Sequence, residues 1–169
     1  MSAKFTPLAV AKIKDPRAKS YTVARLAVAE DVSFISTANP STVLRLAQTM
    51  AEHGLRLIRD VADGTLRPPG EVPPAVRAAL APRLRPRPAR ARVLERAVAR
   101  AGRLLPKDVW RLAFLANWTG GTLGLYLGRF GEFFGEVPVR DIGLLASEGR
   151  LSIPLRDGSP EGVLEITSN

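Results

Sequence analysis

The chain has 169 residues, 46% of them hydrophobic and 24% charged, a balance typical of a folded globular domain rather than a disordered segment. Its formal net charge is +9, and it has no cysteine, which excludes disulfides, thiolate catalysis and cysteine-based metal sites. A single histidine excludes a histidine-rich metal site within one chain, and no apolar run reaches the length that spans a bilayer.

In the first third of the chain, apolar residues recur at helical spacing, then form a strand-length run, and then return to helical spacing. The second of these helices has an Asn-Pro start, because asparagine caps a helix and proline suits its first position. His53 lies beside its apolar stripe, and we interpret it as a packing residue rather than a ligand or base. The predicted ranges are an extended lead-in at 5–18, a helix at 20–30, a strand at 32–38, and a helix from Asn39-Pro40 to Asp63-Gly64.

The middle of the chain is rich in proline and arginine. Residues 67–90 predict a stiff surface excursion, interrupted by one short helix at about 75–80, and an amphipathic helix follows. Eight arginines lie from Arg83 to Arg103, and within this run only Glu95 opposes them. No aromatic residue is interleaved with them to stack on bases, so the run favours a solvated basic face over a nucleic-acid surface.

Residues 112–150 predict a strand, a helix and a second strand. The apolar run 112–118 has the length of a strand and is halted by Gly120-Gly121. Apolar and aromatic residues then recur at helical spacing from Thr122 to Phe134, and another apolar run follows at 139–146. Strands joined in this way are parallel, and ligands bind such sheets beyond the carboxyl ends of the strands.

The end of the chain predicts a hairpin. Two short apolar strands, 151–155 and 162–167, are joined by a loop that contains Asp157-Gly158, a common turn pair. The sequence therefore predicts an α/β fold, in which a small, mostly parallel sheet is flanked by helices and followed by a C-terminal antiparallel hairpin. Its parallel strands are expected at 32–38, 112–118 and 139–146.

Two corners at the expected carboxyl ends carry the candidate site. In the first, 118–122, glycines ahead of a helix free backbone amides to approach an anion, although a tight turn without a ligand has the same pattern. In the second, 143–149, Ser147 and Glu148 are adjacent. A hydroxyl and a carboxylate together can bind a phosphate oxygen and magnesium, or they can simply end a strand in solvent.

Residues 114–122 and 137–150 resemble the auxin-responsive acyl-acid amido synthetase family, which belongs to the acyl-adenylate-forming superfamily that includes firefly luciferase. Residues 21–46 are similar to an earlier segment of the same family, so the resemblance extends from about 5 to 169. It implies that a carboxylic acid is activated with Mg-ATP to an acyl-adenylate, and that the acyl group then passes to an amino acid.

The resemblance also implies roles for single residues, none of them catalytic. The second nucleotide motif of the family, Tyr-x-Ser-Ser-Glu in plant members, matches residues 144–148, with leucine at the tyrosine position. The implied nucleotide-binding residues here are Leu145, Ala146 and Ser147, the implied magnesium ligand is Glu148, and Thr119, Gly120 and Gly121 match a Thr-Gly turn near the acyl pocket.

Members of that family are much longer than this chain. The expectation is therefore a partial adenylation domain over 1–169, inactive alone because the phosphate loop and the C-terminal lid are missing, and open to a complementing chain. The expected partners are a small carboxylic acid and an amino acid, with no membrane and a cytoplasmic location. The alternative is a basic, non-catalytic module that binds an acidic partner or nucleic acid through 83–103.

Overall fold

The computed structural model describes residues 6–146 and 149–164. They form two compact units, one within Met1–Asp31 and Arg45–Val109 and the other within Val32–Leu44 and Trp110–Asn169. The fold is mixed α/β, with a small parallel sheet and a separate antiparallel hairpin near the C-terminus, as the sequence predicts.

The helices account for most of the regular structure. Each of the first five α-helices begins with proline, whose missing N–H and fixed φ suit that position. Within the described part of the chain, no helix combines the length and the apolar character needed to cross a bilayer. The α-helices are α1 (Pro16–Val28), α2 (Pro40–Asp63), α3 (Pro74–Leu80), α4 (Pro88–Ala101), α5 (Pro106–Val109), α6 (Gly124–Leu127) and α7 (Phe130–Phe134), and 3₁₀ turns lie at Leu8–Lys12, Ala81–Arg83 and Gly121–Leu123.

The strands are short. Those of the parallel sheet are β1 (Phe34–Ser36), β2 (Phe114–Ala116) and β3 (Val139–Arg140), in the order β1-β2-β3. Leu115 pairs with Ile35 on one side and with Val139 on the other, and its side chain is fully buried. Two antiparallel pairs follow, β4 (Leu145–Ala146) with β5 (Gly149–Arg150), and β6 (Ser152–Pro154) with β7 (Gly162–Leu164).

The outer edge of β3 is covered by the loop between β6 and β7. Asp157 forms an antiparallel bridge with Arg140, and the backbone N–H of Gly158 donates to the Val139 carbonyl oxygen at 2.6 Å. The Arg140 Nε also donates to Asp157 Oδ1 at 3.0 Å. On one face of the sheet, the Arg140 guanidinium lies 4.6 Å from the ring centroid of Phe114.

The prediction of an extended lead-in at 5–18 is wrong in part. A 3₁₀ turn forms at Leu8–Lys12, and α1 begins at Pro16 rather than at residue 20. The cause is local, because Asp15 Oδ1 accepts hydrogen bonds from the N–H groups of Arg17 and Ala18 at 2.8 and 3.0 Å. Asp-Pro is an N-cap followed by a first-turn proline, the same signal that Asn39-Pro40 gives at the start of α2.

Two elements of the strand–helix–strand unit differ from the prediction. The single helix expected from Thr122 to Phe134 is a 3₁₀ turn followed by α6 and α7, and Gly128 and Arg129 separate these two helices. The single strand expected at 139–146 is divided into β3 and β4, and β4 belongs to a different, antiparallel pair. Gly143 lies between them with φ +75°, a value incompatible with a continuous strand.

His53 marks a kink in α2. Its φ of −111° and ψ of 19° are not helical, and its ring lies edge-on to that of Tyr21 with the centroids 5.6 Å apart. This contact agrees with the interpretation of His53 as a packing residue.

A buried carboxylate organises the polar interior of the first unit. Asp60 is inaccessible to solvent and accepts hydrogen bonds from the Tyr21 hydroxyl at 2.9 Å, the Thr65 hydroxyl at 2.6 Å and the Arg67 N–H at 2.7 Å. Arg25, also fully buried, donates to the backbone carbonyl oxygens of Asp60 and Thr65. Burial raises the pKa of Tyr21 and the Asp60 hydrogen bond raises it further, whereas burial lowers the pKa of Arg25 and the nearby Asp60 charge opposes that change.

Tyr21→Phe tests this network through its pH dependence. At neutral pH we expect a loss of about 1 kcal/mol in the free energy of unfolding, the usual net value of one hydrogen bond. Because the pKa of Tyr21 is higher in the folded than in the unfolded state, the stabilisation is fully present below pH ~10 and is lost as the pH rises. The stability advantage of the wild type should therefore fall by about 1.4 kcal/mol between pH ~10 and pH ~11, so that it vanishes and then reverses in sign. Urea unfolding followed by circular dichroism between pH 8 and 11 measures it, and a constant difference would contradict the assignment.

Two of the eight arginines between 83 and 103 point inward within the first unit. Arg87 Nη1 donates to the Ala29 carbonyl oxygen at 2.9 Å, and Arg90 donates to those of Val28 and Glu30, both at 2.9 Å. These three carbonyls lie at the C-terminal end of α1, where backbone acceptors have no partner within the helix. Burial lowers the pKa of Arg90, and the nearby acidic side chains Asp31 and Glu30 oppose that change. The run is therefore not a uniform solvated face, although its other six arginines are exposed.

Arg90→Ala should destabilise the chain by about 2 kcal/mol, because it removes the side-chain donor from the half-buried carbonyl oxygen of Val28 at the end of α1. Arg92→Ala removes an equal charge from an exposed position of the same helix and should change stability by less than about 0.5 kcal/mol. Equal losses in the two variants, measured by urea unfolding at neutral pH, would show that charge rather than helix capping matters here.

Candidate functional site

The parallel sheet brings three chain segments to one edge. Thr37 follows β1, Asn117 follows β2 and Asp141 follows β3, so all three lie beyond the carboxyl ends of neighbouring strands. Backbone hydrogen bonds continue past the strands, since the Trp118 N–H donates to the Ala38 carbonyl oxygen at 3.1 Å. This edge is where open α/β sheets bind ligands.

Asp141 joins the first corner to the segment after β3. Its Oδ2 accepts hydrogen bonds from the Thr119 N–H at 2.6 Å and the Thr119 hydroxyl at 2.8 Å, and its Oδ1 accepts from the Gly143 N–H at 2.7 Å. Hydrogen bonds to an ionised carboxylate are about twice as strong as neutral ones. One side chain therefore links two segments that are 22 residues apart in sequence.

Trp118 makes a second link between the same segments. Its indole Nε1 donates to the Gly143 carbonyl oxygen at 2.8 Å. Gly143 is thus held at its N–H by Asp141 and at its carbonyl by Trp118. Its positive φ favours glycine, and a Cβ placed there would collide with the Ser152 carbonyl oxygen.

The candidate residues of the first corner differ in what they offer to a ligand. Thr119 is 7% exposed, and both its N–H and its hydroxyl are bound to Asp141. Gly120 and Gly121 are more accessible, and their N–H groups have no acceptor within 6–146 and 149–164. Gly121 has φ +60°, and the space where its Cβ would stand is open. The free donors of this corner fit a carboxylate or phosphate oxygen.

The second corner does not follow a strand of the parallel sheet. Leu145 and Ala146 form β4, which pairs with β5, and Leu144 and Leu145 each expose about half of their surface. Ser147 and Glu148 lie outside the described residues, so their roles at the nucleotide and at magnesium stay predictions. Among the residues that the structure does describe, no group of three acidic or histidine side chains is arranged to hold a metal ion.

Sequence reasoning assigned no role to Asp141, Trp118 or Asn117. Asp141 is one acidic residue after a strand, and its two partners are visible only in three dimensions. Asn117 is fully buried, its Nδ2 donates to the Trp118 carbonyl oxygen at 2.9 Å, and its Oδ1 has no partner among the described residues. A polar residue in the second-to-last position of the apolar run 112–118 was the available signal.

Comparison with known proteins identifies the family to which the chain belongs. A family model described as the GH3 family N-terminal domain matches residues 1–139, and the chain belongs to the GH3 family. Thr119, Gly120 and Gly121 lie within the matched range, whereas 143–149 lie beyond it. No curated protein sequence matches the chain significantly.

Solved structures show the same fold. One, described as GH3.15 acyl acid amido synthetase, is similar with a TM-score of 0.70 at 17% identity over 88% of this chain and 28% of that chain. Another, described as AtGH3.15 acyl acid amido synthetase in complex with 2,4-DB, has a TM-score of 0.66 at 18% identity, over 82% of this chain and 25% of that chain. This chain thus spans about a quarter of the length of these relatives.

Gly143→Ala tests the close approach of Gly143 to the Ser152 carbonyl oxygen. The variant should lose about 2 kcal/mol or more, because a Cβ at positive φ is strained and collides with backbone. Gly131→Ala is the matched control, since its Cβ meets no atom within 4 Å and it lies inside α7. The control should change stability by less than about 1 kcal/mol. Similar losses in both variants, measured by thermal and urea unfolding, would contradict the described path of 141–143.

Proposed function

We propose that this chain forms part of the adenylation domain of an ATP-dependent acyl-acid ligase, which activates a small carboxylic acid and transfers the acyl group to an amino acid. The observation that carries the proposal is the family match over residues 1–139. The similarity in fold to acyl acid amido synthetases supports it. This match also favours the ligase over the basic binding module, and a cytoplasmic location suits a protein without cysteine.

The donors of the first corner fit the proposed chemistry. Gly120 and Gly121 offer accessible N–H groups to a substrate carboxylate or to a phosphate oxygen. In the proposed site, Ser147 contacts the nucleotide and Glu148 holds magnesium. Bound Mg-ATP supplies a phosphorus atom that a carboxylate oxygen can attack, with pyrophosphate as the leaving group. The part played by this chain is to orient the carboxylate and to stabilise negative charge through fixed backbone donors.

Only part of such a site is contained in these residues. The chain spans about a quarter of the solved relatives, so we propose that polypeptide outside these 169 residues supplies the remaining contacts. That polypeptide belongs either to the same protein or to a complementing chain.

A thermal melt with and without Mg-ATP tests the nucleotide site. A ligand that binds only the folded state stabilises it by about 2.7 kcal/mol at 100 times its Kd, which corresponds to a rise of about 5 °C or more in Tm for a chain of this size. Glu148→Gln keeps the shape of the side chain but removes the charge that attracts magnesium, so it should abolish most of the rise.

Glu161→Gln is the control, because Glu161 is an exposed carboxylate in the loop between β6 and β7. It should respond to Mg-ATP like the wild type. An equal rise in Glu148→Gln and wild type would contradict the role of Glu148. A wild-type melt indifferent to Mg-ATP would contradict nucleotide binding by this chain.

A further inference from the structure

We infer that Asp141 is a positioning residue of the proposed site, and that it fixes the Gly120-Gly121 donors relative to the segment that leads to Ser147 and Glu148. The inference rests on the proposed function, and it assigns a role to a side chain that contacts no substrate. It also makes Thr119 an anchor of the first corner rather than a ligand contact.

The hydrogen-bonding capacity of Asp141 is distributed between the two segments. One carboxylate oxygen receives both donors of Thr119, at 2.6 and 2.8 Å, and the other receives the Gly143 N–H at 2.7 Å. Three bonds fix the carboxylate in one orientation. Any movement of the Thr119 backbone away from Gly143 must break at least one of them.

The Trp118 indole closes this arrangement into a ring of contacts. Trp118 and Thr119 are consecutive, and they reach the two polar groups of Gly143 by different routes, directly to its carbonyl and through Asp141 to its N–H. A segment held at both of these groups cannot rotate about its own axis. The direction in which Leu144 leaves Gly143 is therefore set by the first corner.

The same contacts separate anchoring from binding within the first corner. Thr119 is buried and has both of its donors engaged, so it has no donor left to offer a ligand. Gly120 and Gly121 follow it directly, with accessible N–H groups that have no acceptor within the described ranges. Donors that are held in place before a ligand arrives lose less conformational freedom when it binds.

Asp141→Asn separates this role from simple packing. An asparagine has the same shape but only one acceptor oxygen, so its NH₂ group must face either Thr119 or Gly143. Asp157→Asn is the matched control, because Asp157 is a half-exposed carboxylate of the same unit that pairs with Arg140. Thr119→Val is a milder second variant that loses only the hydroxyl donor to Asp141.

The first measurement is amide hydrogen exchange by NMR on the full chain. Asp141→Asn should accelerate exchange at least about tenfold at Thr119 or at Gly143, whichever its NH₂ group faces, and the chemical shifts of Gly120 and Gly121 should change beside them. Thr119→Val should give a smaller change at the same residues, and Asp157→Asn should give none there. Unchanged exchange at both Thr119 and Gly143 in Asp141→Asn, or an equal effect of Asp157→Asn, would overturn the link.

The second measurement is the Kd of Mg-ATP for the same variants at a temperature where each is fully folded. Asp141→Asn should raise the Kd about tenfold or more, whereas Asp157→Asn should leave it unchanged. An unchanged Kd in Asp141→Asn beside normal wild-type binding would overturn the positioning role. If the wild type itself binds no Mg-ATP, the proposed function fails and the role of Asp141 at that site fails with it, whereas the exchange data still decide whether Asp141 couples the two segments.

Discussion

The parallel pairing of β2 with β3 is the constraint on which the candidate site depends. Because Leu115 lies opposite Val139, the two strands end side by side and release the chain at the same edge of the sheet. Asp141 then reaches Thr119 without any further element to guide it. A slip of one residue in this register would turn Val139 to the other face and move the Asp141 carboxylate away from Thr119.

Local chemistry predicted much of this fold. The strand-length apolar runs located all three parallel strands, and the Asn39 cap located the start of α2. The predictions failed where glycine or a long-range contact outweighs periodicity. Gly124, Gly128 and Gly131 weaken the helix expected after Thr122, which survives only as short pieces. The division of the strand at 139–146 requires knowledge of what Asp141 and Gly143 contact, and residue spacing does not contain that information.

The candidate site, like the fold, could be predicted from the sequence only in part. Thr119, Gly120 and Gly121 could be selected from sequence because a glycine pair after a strand is a local pattern. The hydrogen bonds that Thr119 donates to Asp141 could not be predicted, because a single carboxylate in a polar corner can have many different partners. The arginine run is similar, since Arg87 and Arg90 differ from their neighbours only in lying opposite the carbonyl end of α1. Charge and composition describe all eight arginines alike, whereas position divides them into caps and surface groups.

The loop between β6 and β7 determines at which edge further strands can be added to the parallel sheet. A strand edge with free N–H and carbonyl groups recruits further strands, and the loop occupies that edge of β3 through the Gly158 N–H and the Asp157 bridge. β1 lies at the opposite end of the sheet order. A larger sheet built on this one would therefore be extended from β1, in one direction only, and the hairpin loop acts as its terminus.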